Sequence, residues 1–340
     1  MVDFSRMKYF KKLIPVVFTL SLVTVIASCG SKKEIGEYPE TTRDEAVEET
    51  VVSDFQIGDS WTAKRISREL LLQENNFNLS RAAESTLQIR TPWAQGTGIY
   101  LGKHNGRHLV GTNAHVLDNI YSCQTQKLAI VAKFTLGNAV FTCDSLIAAW
   151  SDVDFAIFVL AVDSEAQSDY LDAINPLKFN FDIPYSKNRI LYSIGHGDAN
   201  NPDAVMTVKF DEDCRIYSAT NEVRRLKNPN NPDALKIPSI AIGCDISPGD
   251  SGSSIIDTGT GDLIGVVWST QRPKPALMRT RGYMNQLRGE DNTSIWESLA
   301  YAIPAREIKA SMIRWYNRTE RSRAMRERRK AVKELLDLGF

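Results

Sequence analysis

The sequence predicts a mostly β fold, arranged as two β-barrels or a sandwich. Three observations predict it: short apolar runs broken by turn residues, their grouping into two clusters around a loop-rich stretch at 163–186, and 20 Gly and 13 Pro spread along 340 residues. Short runs rich in Val, Ile, Thr and aromatic residues between turn residues read as strands rather than helices. With 43% hydrophobic and 24% charged residues, the composition excludes a wholly disordered, collagen-like or multi-span membrane chain. No 20–50-residue repeat is present. The formal net charge of zero conceals unlike ends. Without residues 1–28, 37 basic and 40 acidic side chains remain, a net of −3, so a whole-chain basic field for nucleic acid is absent.

The N-terminus reads as a targeting segment. Basic residues up to Lys12 precede fifteen mostly apolar residues, Leu13 to Ala27, too short for a comfortable membrane span and shaped like a secretory signal. Ile26-Ala27-Ser28-Cys29 resembles the bacterial lipobox, in which the Cys thiol takes a diacylglyceryl group. That resemblance implies cleavage before Cys29, with residues 1–28 as signal peptide and Cys29 as a lipidated N-terminus on a bacterial membrane. Gly30 lacks the Asp that retains such proteins at the inner membrane, a hint towards the outer one. Residues 29–60 then read as an acidic tether, since 34–54 hold eight acids and one base with little to build a core. One or two amphipathic helical turns are expected between Ala63 and Ala82.

From Ser85 the β pattern begins. Gly96–Leu101, Arg107–Val110, Leu128–Phe134, Ala139–Thr142 and Phe155–Leu160 form the first cluster of expected strands. Asn188–Ser193, Ala204–Val208, Cys214–Tyr217, Ser253–Ile256 and Leu263–Trp268 form the second. Residues 305–338 contain no Gly or Pro and read as helix, with Ile308, Met312, Ile313 and Trp315 packing on the domain. Within it, 314–333 carry nine Lys or Arg against two Glu, and we set 317–340 apart as a charged tail. Such a helix can bind an anionic surface at about 1 kcal/mol per basic residue. A solvated helix laced by pairs such as Glu320–Arg323 and Glu327–Lys330 explains the same charges.

Three short stretches carry chemistry. Gly111-Thr112-Asn113-Ala114-His115 places a His just after an apolar strand, and Asp152-Val153-Asp154 places an acid just before one. Pro248-Gly249-Asp250-Ser251-Gly252-Ser253 places a Ser in a tight, Gly-flanked loop. Each alone is weak, because a His at a strand end, an Asp cap and a Gly-Asp-Ser-Gly turn are commonplace. Together they supply a nucleophile, a base and an orienting acid. A hydroxyl becomes a useful nucleophile when a neutral imidazole takes its proton. The imidazole in turn needs an acid on its other nitrogen to fix its tautomer. Gly249 would let the amides of Gly249 and Ser251 converge on a developing oxyanion.

At these residues the sequence resembles the trypsin-like serine endopeptidases of the chymotrypsin clan, especially their bacterial secreted branch. The likeness runs over about residues 85–316, and we assign 61–316 to the protease domain. His115 to Asp154 is 39 residues and Asp154 to Ser251 is 97, which suits two six-stranded antiparallel barrels with the site between them and a C-terminal helix. Gly96-Thr97-Gly98-Ile99 resembles the family's early strand, Val267-Trp268-Ser269-Thr270 the wall of its specificity pocket, and Tyr301–Pro304 its closing strand. The resemblance implies a protein or peptide substrate and no cofactor. No Cys/His spacing reads as a metal site, and His104, His108 and His196 read as solvent-exposed or structural.

The chain also departs from the family. It lacks Ile-Val-Gly-Gly, so pairing of a newly cut N-terminus with Asp250 is not expected, and the partner of Asp250 is open. Val267 stands where glutamyl endopeptidases carry a pocket His, against glutamate preference. Asp245 lies six residues before Ser251, where trypsin holds its basic-side-chain acid, or it is structural beside Cys244. A non-catalytic binding module would not need all three motifs. An α/β-hydrolase esterase would need a final Gly at Ser253 and the order Ser, Asp, His. Appended PDZ domains do not fit the 89 residues after Ser251. With Cys29 used, four cysteines allow three pairings. Cys123 and Cys143 flank a hairpin-like unit, and in bacterial relatives the pair corresponding to Cys214 and Cys244 is bridged. We therefore expect Cys123–Cys143 and Cys214–Cys244.

Overall fold

The computed structural model describes residues 64–66, 71, 77–117, 123, 130–134, 136–197, 206–210, 213–227, 235–270, 281–289, 296, 299–318 and 323–337. The expected signal peptide, Cys29, the acidic tether and Glu320 lie outside these residues. The first sheet closes. Strands β2 (Thr86–Arg90), β3 (Gln95–His104), β4 (Arg107–Asn113), β5 (Val131–Phe134), β6 (Val140–Trp150) and β7 (Phe155–Leu160) form a six-stranded barrel in the order β2-β3-β4-β7-β6-β5. All its pairings are antiparallel, and β2 pairing with β5 completes the ring. The β3–β4 connection is a two-residue turn in which Asn105 and Gly106 both have positive φ, 48° and 73°. That geometry matches the right-handed strand twist, and Asn-Gly adopts it at low cost.

Strand β7 is buried along its whole length because both faces are covered. Ala156, Phe158 and Leu160 join Leu87, Val110, Phe134 and Phe141 in one apolar cluster. Phe155, Ile157 and Val159 face a larger cluster that unites residues of both sheets with three helices. Burying each such side chain is worth about 1.5–3 kcal/mol.

The second sheet has eight strands in the order β1-β9-β8-β12-β13-β14-β11-β10. They are β1 (Lys64–Arg65), β8 (Leu191–Gly195), β9 (Thr207–Lys209), β10 (Arg224–Leu226), β11 (Ile237–Ile242), β12 (Ser254–Asp257), β13 (Leu263–Thr270) and β14 (Ala300–Pro304). Unlike the first sheet, it does not close as a continuous ladder. Single bridges, Ile190 to Arg215 and Ile216 to Ile242, span the gap between β8 and β11. Residues 214–217, expected as a strand, make only these bridges, with Cys214 tied to Cys244 and Tyr217 N bonded to Ala241 O. Both expected disulfides are present, Cys123–Cys143 and Cys214–Cys244.

Helices correct several expectations. The 63–82 stretch holds strand β1, with helix α1 at Phe77–Glu84. A short helix α2 (Ala114–Leu117) follows β4. The loop-rich stretch contains α3 (Glu165–Ala173), capped by the Ser164 hydroxyl on the Gln167 amide. Helix α4 (Arg281–Gly289) lies between β13 and β14. The C-terminal helix is two helices, α5 (Ala305–Arg318) and α6 (Arg323–Asp337). Their buried faces, Ile308 and Met312 on one and Ala331, Val332 and Leu335 on the other, belong to the large shared cluster.

Candidate active site

His115 sits in α2, directly after β4, and Asp154 sits in the turn between β6 and β7. Strands β4 and β7 are paired up to Asn113 and Phe155, which brings the two residues together. Asp154 Oδ2 lies 2.6 Å from His115 Nδ1, and Oδ1 accepts the His115 backbone N–H at 3.0 Å. The Asp154 carbonyl accepts from the Asn113 side chain at 3.0 Å and from Ala114 N at 3.1 Å. Asp154 therefore holds the imidazole and the start of its helix at once. Its own backbone is left-handed, φ 45°, an unusual state for a residue with a β-carbon. A carboxylate on Nδ1 places the ring proton there and leaves Nε2 as the basic nitrogen. The acid is nearly enclosed, with its side chain 12% exposed, whereas the imidazole is open at 42%.

Ser251 lies in the loop between β11 and β12, and its carbonyl accepts from Thr97 N at 2.8 Å. Gly96 fits between the two motifs. A β-carbon there would lie 2.7 Å from the Val116 side chain and 3.0 Å from the Ser251 carbonyl oxygen. The residue following His115 and the backbone of Ser251 are thus separated by one glycine. Gly252 needs its lack of side chain twice over, with φ 90° and a β-carbon position 2.0 Å from the Thr97 carbonyl. The Thr97 hydroxyl donates to Gly249 O at 2.9 Å and accepts from His196 N at 2.9 Å. Gly252 N bonds Val267 O and Val267 N bonds Ser253 O, which fixes the loop along β13.

The partner of Asp250 is Lys209, on β9. Its ammonium lies 2.5 Å from Asp250 Oδ1, and both side chains are sealed from solvent. Asp250 also accepts from Ser247 N at 3.0 Å, Ser247 Oγ at 3.2 Å and Ser253 Oγ at 3.3 Å. Gly195 and Gly197 press their backbones onto this cluster, where a β-carbon would meet Ser253 Oγ or Ser247 Oγ. His196, between them, is fully buried, and burial, with Lys209 and other cations nearby, pushes its imidazole down to about 3. Neither Thr97 nor Lys209 was singled out from the sequence. Lys209 carried a signal, as a lone cation within the mostly apolar stretch Ala204–Phe210.

The remaining site candidates are more dispersed. Asp245 is buried beside the Cys214–Cys244 bridge. Val267 belongs to the interior of the second sheet. Trp268 is buried, stacks on Tyr301 at 6.2 Å and donates to Ser239 Oγ at 2.9 Å. Ser269 is half-buried, and the Thr270 side chain lies outside what is described. His104 and His108 are buried, which settles the choice left open for them towards the structural one. His104 bonds Leu101 O, and His108 meets Tyr100 Oη at 2.8 Å. Burial holds both imidazoles below the ordinary value.

A family model described as "Trypsin-like peptidase domain" matches residues 96–266, half of the chain and all three motifs. Among solved structures, an inactive form of Rv3671c from M. tuberculosis is 19% identical, with a TM-score of 0.48 over 78% of this chain and 100% of that one. The active form of the Rv3671c protease is 20% identical, at 0.46 over 79% and 93%. Deg5 is 16% identical, at 0.42 over 72% and 94%. At these scores no residue role is carried over. Comparison with curated protein sequences yields no match.

Proposed function

This chain belongs to the trypsin-like peptidase domain family, and from that premise we propose that it is an extracytoplasmic serine endopeptidase tethered to a membrane through Cys29. Ser251 Oγ attacks the scissile carbonyl while His115 Nε2 takes its proton, and Asp154 stabilises the imidazolium. The Gly249 and Ser251 amides hold the oxyanion. His115 then gives the proton to the departing amine, leaving an acyl-Ser251 ester. Water, deprotonated by the same imidazole, releases the acid and restores the serine. The observation that carries this reading is the 2.6 Å His115–Asp154 contact, with Gly96 separating Val116 from the Ser251 backbone. Ser251→Ala should cut turnover roughly 10⁴- to 10⁶-fold with the fold intact. Undiminished proteolysis by that variant would reject the assignment.

Two disulfides suit an oxidising compartment. The lipobox-like Cys29 supplies the anchor, and the exposed Arg326 and Lys333 of α6 would add a contact with an anionic surface. Metabolic labelling with a fatty-acid analogue should mark the wild type and not Cys29→Ser. An unlabelled, soluble wild type would remove the tether from the proposal.

A further inference from the structure

We propose that Asp152 is a positioning residue for Asp154, clamped by the C-terminal helix α5, a role that rests on the serine-protease reading above. The β6–β7 turn spans Ser151 to Asp154 and ends in the left-handed backbone of Asp154, φ 45°. A residue with a β-carbon stays in that region when its surroundings over-determine it. On one side the restraint is visible: Asn113 and Ala114 bond the Asp154 carbonyl. On the other it comes from α5, some 160 residues further along the chain. Ser311 Oγ donates to Asp152 Oδ1 at 2.6 Å, and the Arg314 guanidinium donates to Oδ2 at 2.7 Å. Burial would raise the Asp152 carboxyl, but these two donors outweigh it and hold it below its ordinary value. Trp150, at the start of the turn, meets Trp315 of α5 edge-on at 5.8 Å and stacks on Phe155 at 6.1 Å. Between these anchors Val153 is wholly buried.

The turn is thus pinned at both ends, and Asp154, its last residue, carries the unfavourable backbone. Releasing Asp152 lets the turn relax and swings the Asp154 carboxylate away from His115 Nδ1. A displacement of about 1 Å in such a group can cost about 100-fold in rate. A less well aligned carboxylate also stabilises the imidazolium less, so the His115 titration moves to lower pH.

The test is the rate at which a fluorophosphonate probe labels Ser251, measured against pH on the full chain. The variants are Asp152→Asn, Arg314→Ala and Arg314→Lys, with Ser251→Ala as the blank. Asp152→Asn and Arg314→Ala should label about 10- to 100-fold more slowly than wild type, with the acid limb moved to lower pH, and Arg314→Lys should recover most of the rate. Labelling at the wild-type rate, or a slower rate with an unmoved limb, overturns the proposal. The second result would mean that the clamp is merely structural. If Asp152→Asn does not fold, Arg314→Ala decides, since that side chain is 41% exposed and its loss leaves no core void. A wild type that takes no label at Ser251 fails differently. It removes the serine-nucleophile reading, and the positioning role with it.

Discussion

Lys209 gives Asp250 the full opposite charge that a carboxylate in a sealed interior requires, and Ser247 and Ser253 supply hydrogen bonds for its remaining lone pairs. An ammonium from within the chain fills that place, so the loop carrying Gly249 and Ser251 is braced from β9. Removing one member of such a pair strands the other, at a cost of about 3–5 kcal/mol. Lys209→Met should therefore lower unfolding stability by about that much. Adding Asp250→Asn should recover a good part of it, because the stranded charge is then gone. Urea denaturation of the two variants distinguishes the cases. A Lys209→Met protein within about 1 kcal/mol of wild type would show that the pair does not brace the loop. Thr97 works on the same loop with neutral groups, its hydroxyl linking the Gly249 carbonyl to the His196 amide.

Among the elements, the two disulfides should prove unequal. Their loops of 20 and 30 residues restrict the unfolded chain by roughly 3–4 kcal/mol each on the entropy model. Their surroundings differ. Cys123–Cys143 ties the segment before β5 to β6 in the first barrel. Cys214 Sγ lies 3.4 Å from the Lys209 carbonyl oxygen, and Cys244 is followed by Asp245 and the serine loop. Replacing either pair with Ser should lower the melting temperature. Replacing Cys214 and Cys244 should also slow fluorophosphonate labelling, while replacing Cys123 and Cys143 should leave it near wild type. Equal labelling of both double variants would contradict this division. In the C-terminal pair, Arg314 bonds Asp152, Arg329 covers the Tyr316 ring and Lys330 pairs with Glu327 at 3.0 Å. Part of the charge that reads as a basic tail is therefore consumed within the fold.

For the molecule as a whole, His196 makes stability depend on pH. It sits at the end of β8 and reaches the first barrel through Thr97, so it bridges the two sheets. In the folded protein its imidazole titrates at about 3, and in the unfolded chain near its ordinary 6.5. Between those values the unfolded chain binds a proton that the native protein does not. The contribution of this group is complete above about pH 6.5 and is lost as pH falls towards 3, at up to about 1.4 kcal/mol per pH unit. His196→Gln removes that slope. Between pH 7 and 5, where few carboxylates titrate, the unfolding free energy of the variant should change less than that of wild type. Parallel curves would mean that His196 is not held neutral by the junction.

Local chemistry was readable along the chain. Apolar runs with turn residues between them placed most of the strands, and β7 was plain because both its faces are covered, leaving no polar alternation. The order of His115, Asp154 and Ser251, with glycines at 249 and 252, pointed to the candidate site before any geometry. The hairpin-like unit between Cys123 and Cys143 pointed to one disulfide, and likeness to the family to Cys214–Cys244. What stayed hidden depends on which distant segments meet. Lys209 and Asp250 are 41 residues apart, Thr97 and Gly249 are 152, and Asp152 and Ser311 are 159. Strand propensity acts over a few neighbours and is silent on those meetings. It is equally silent on the second sheet, whose gap is spanned at Arg215 and Ile216 by single bridges that only folding brings into register. A buried ammonium or a left-handed aspartate looks unfavourable in the sequence. Each is held in place once the fold has delivered its partners, because burial strengthens a satisfied contact and penalises an unsatisfied one.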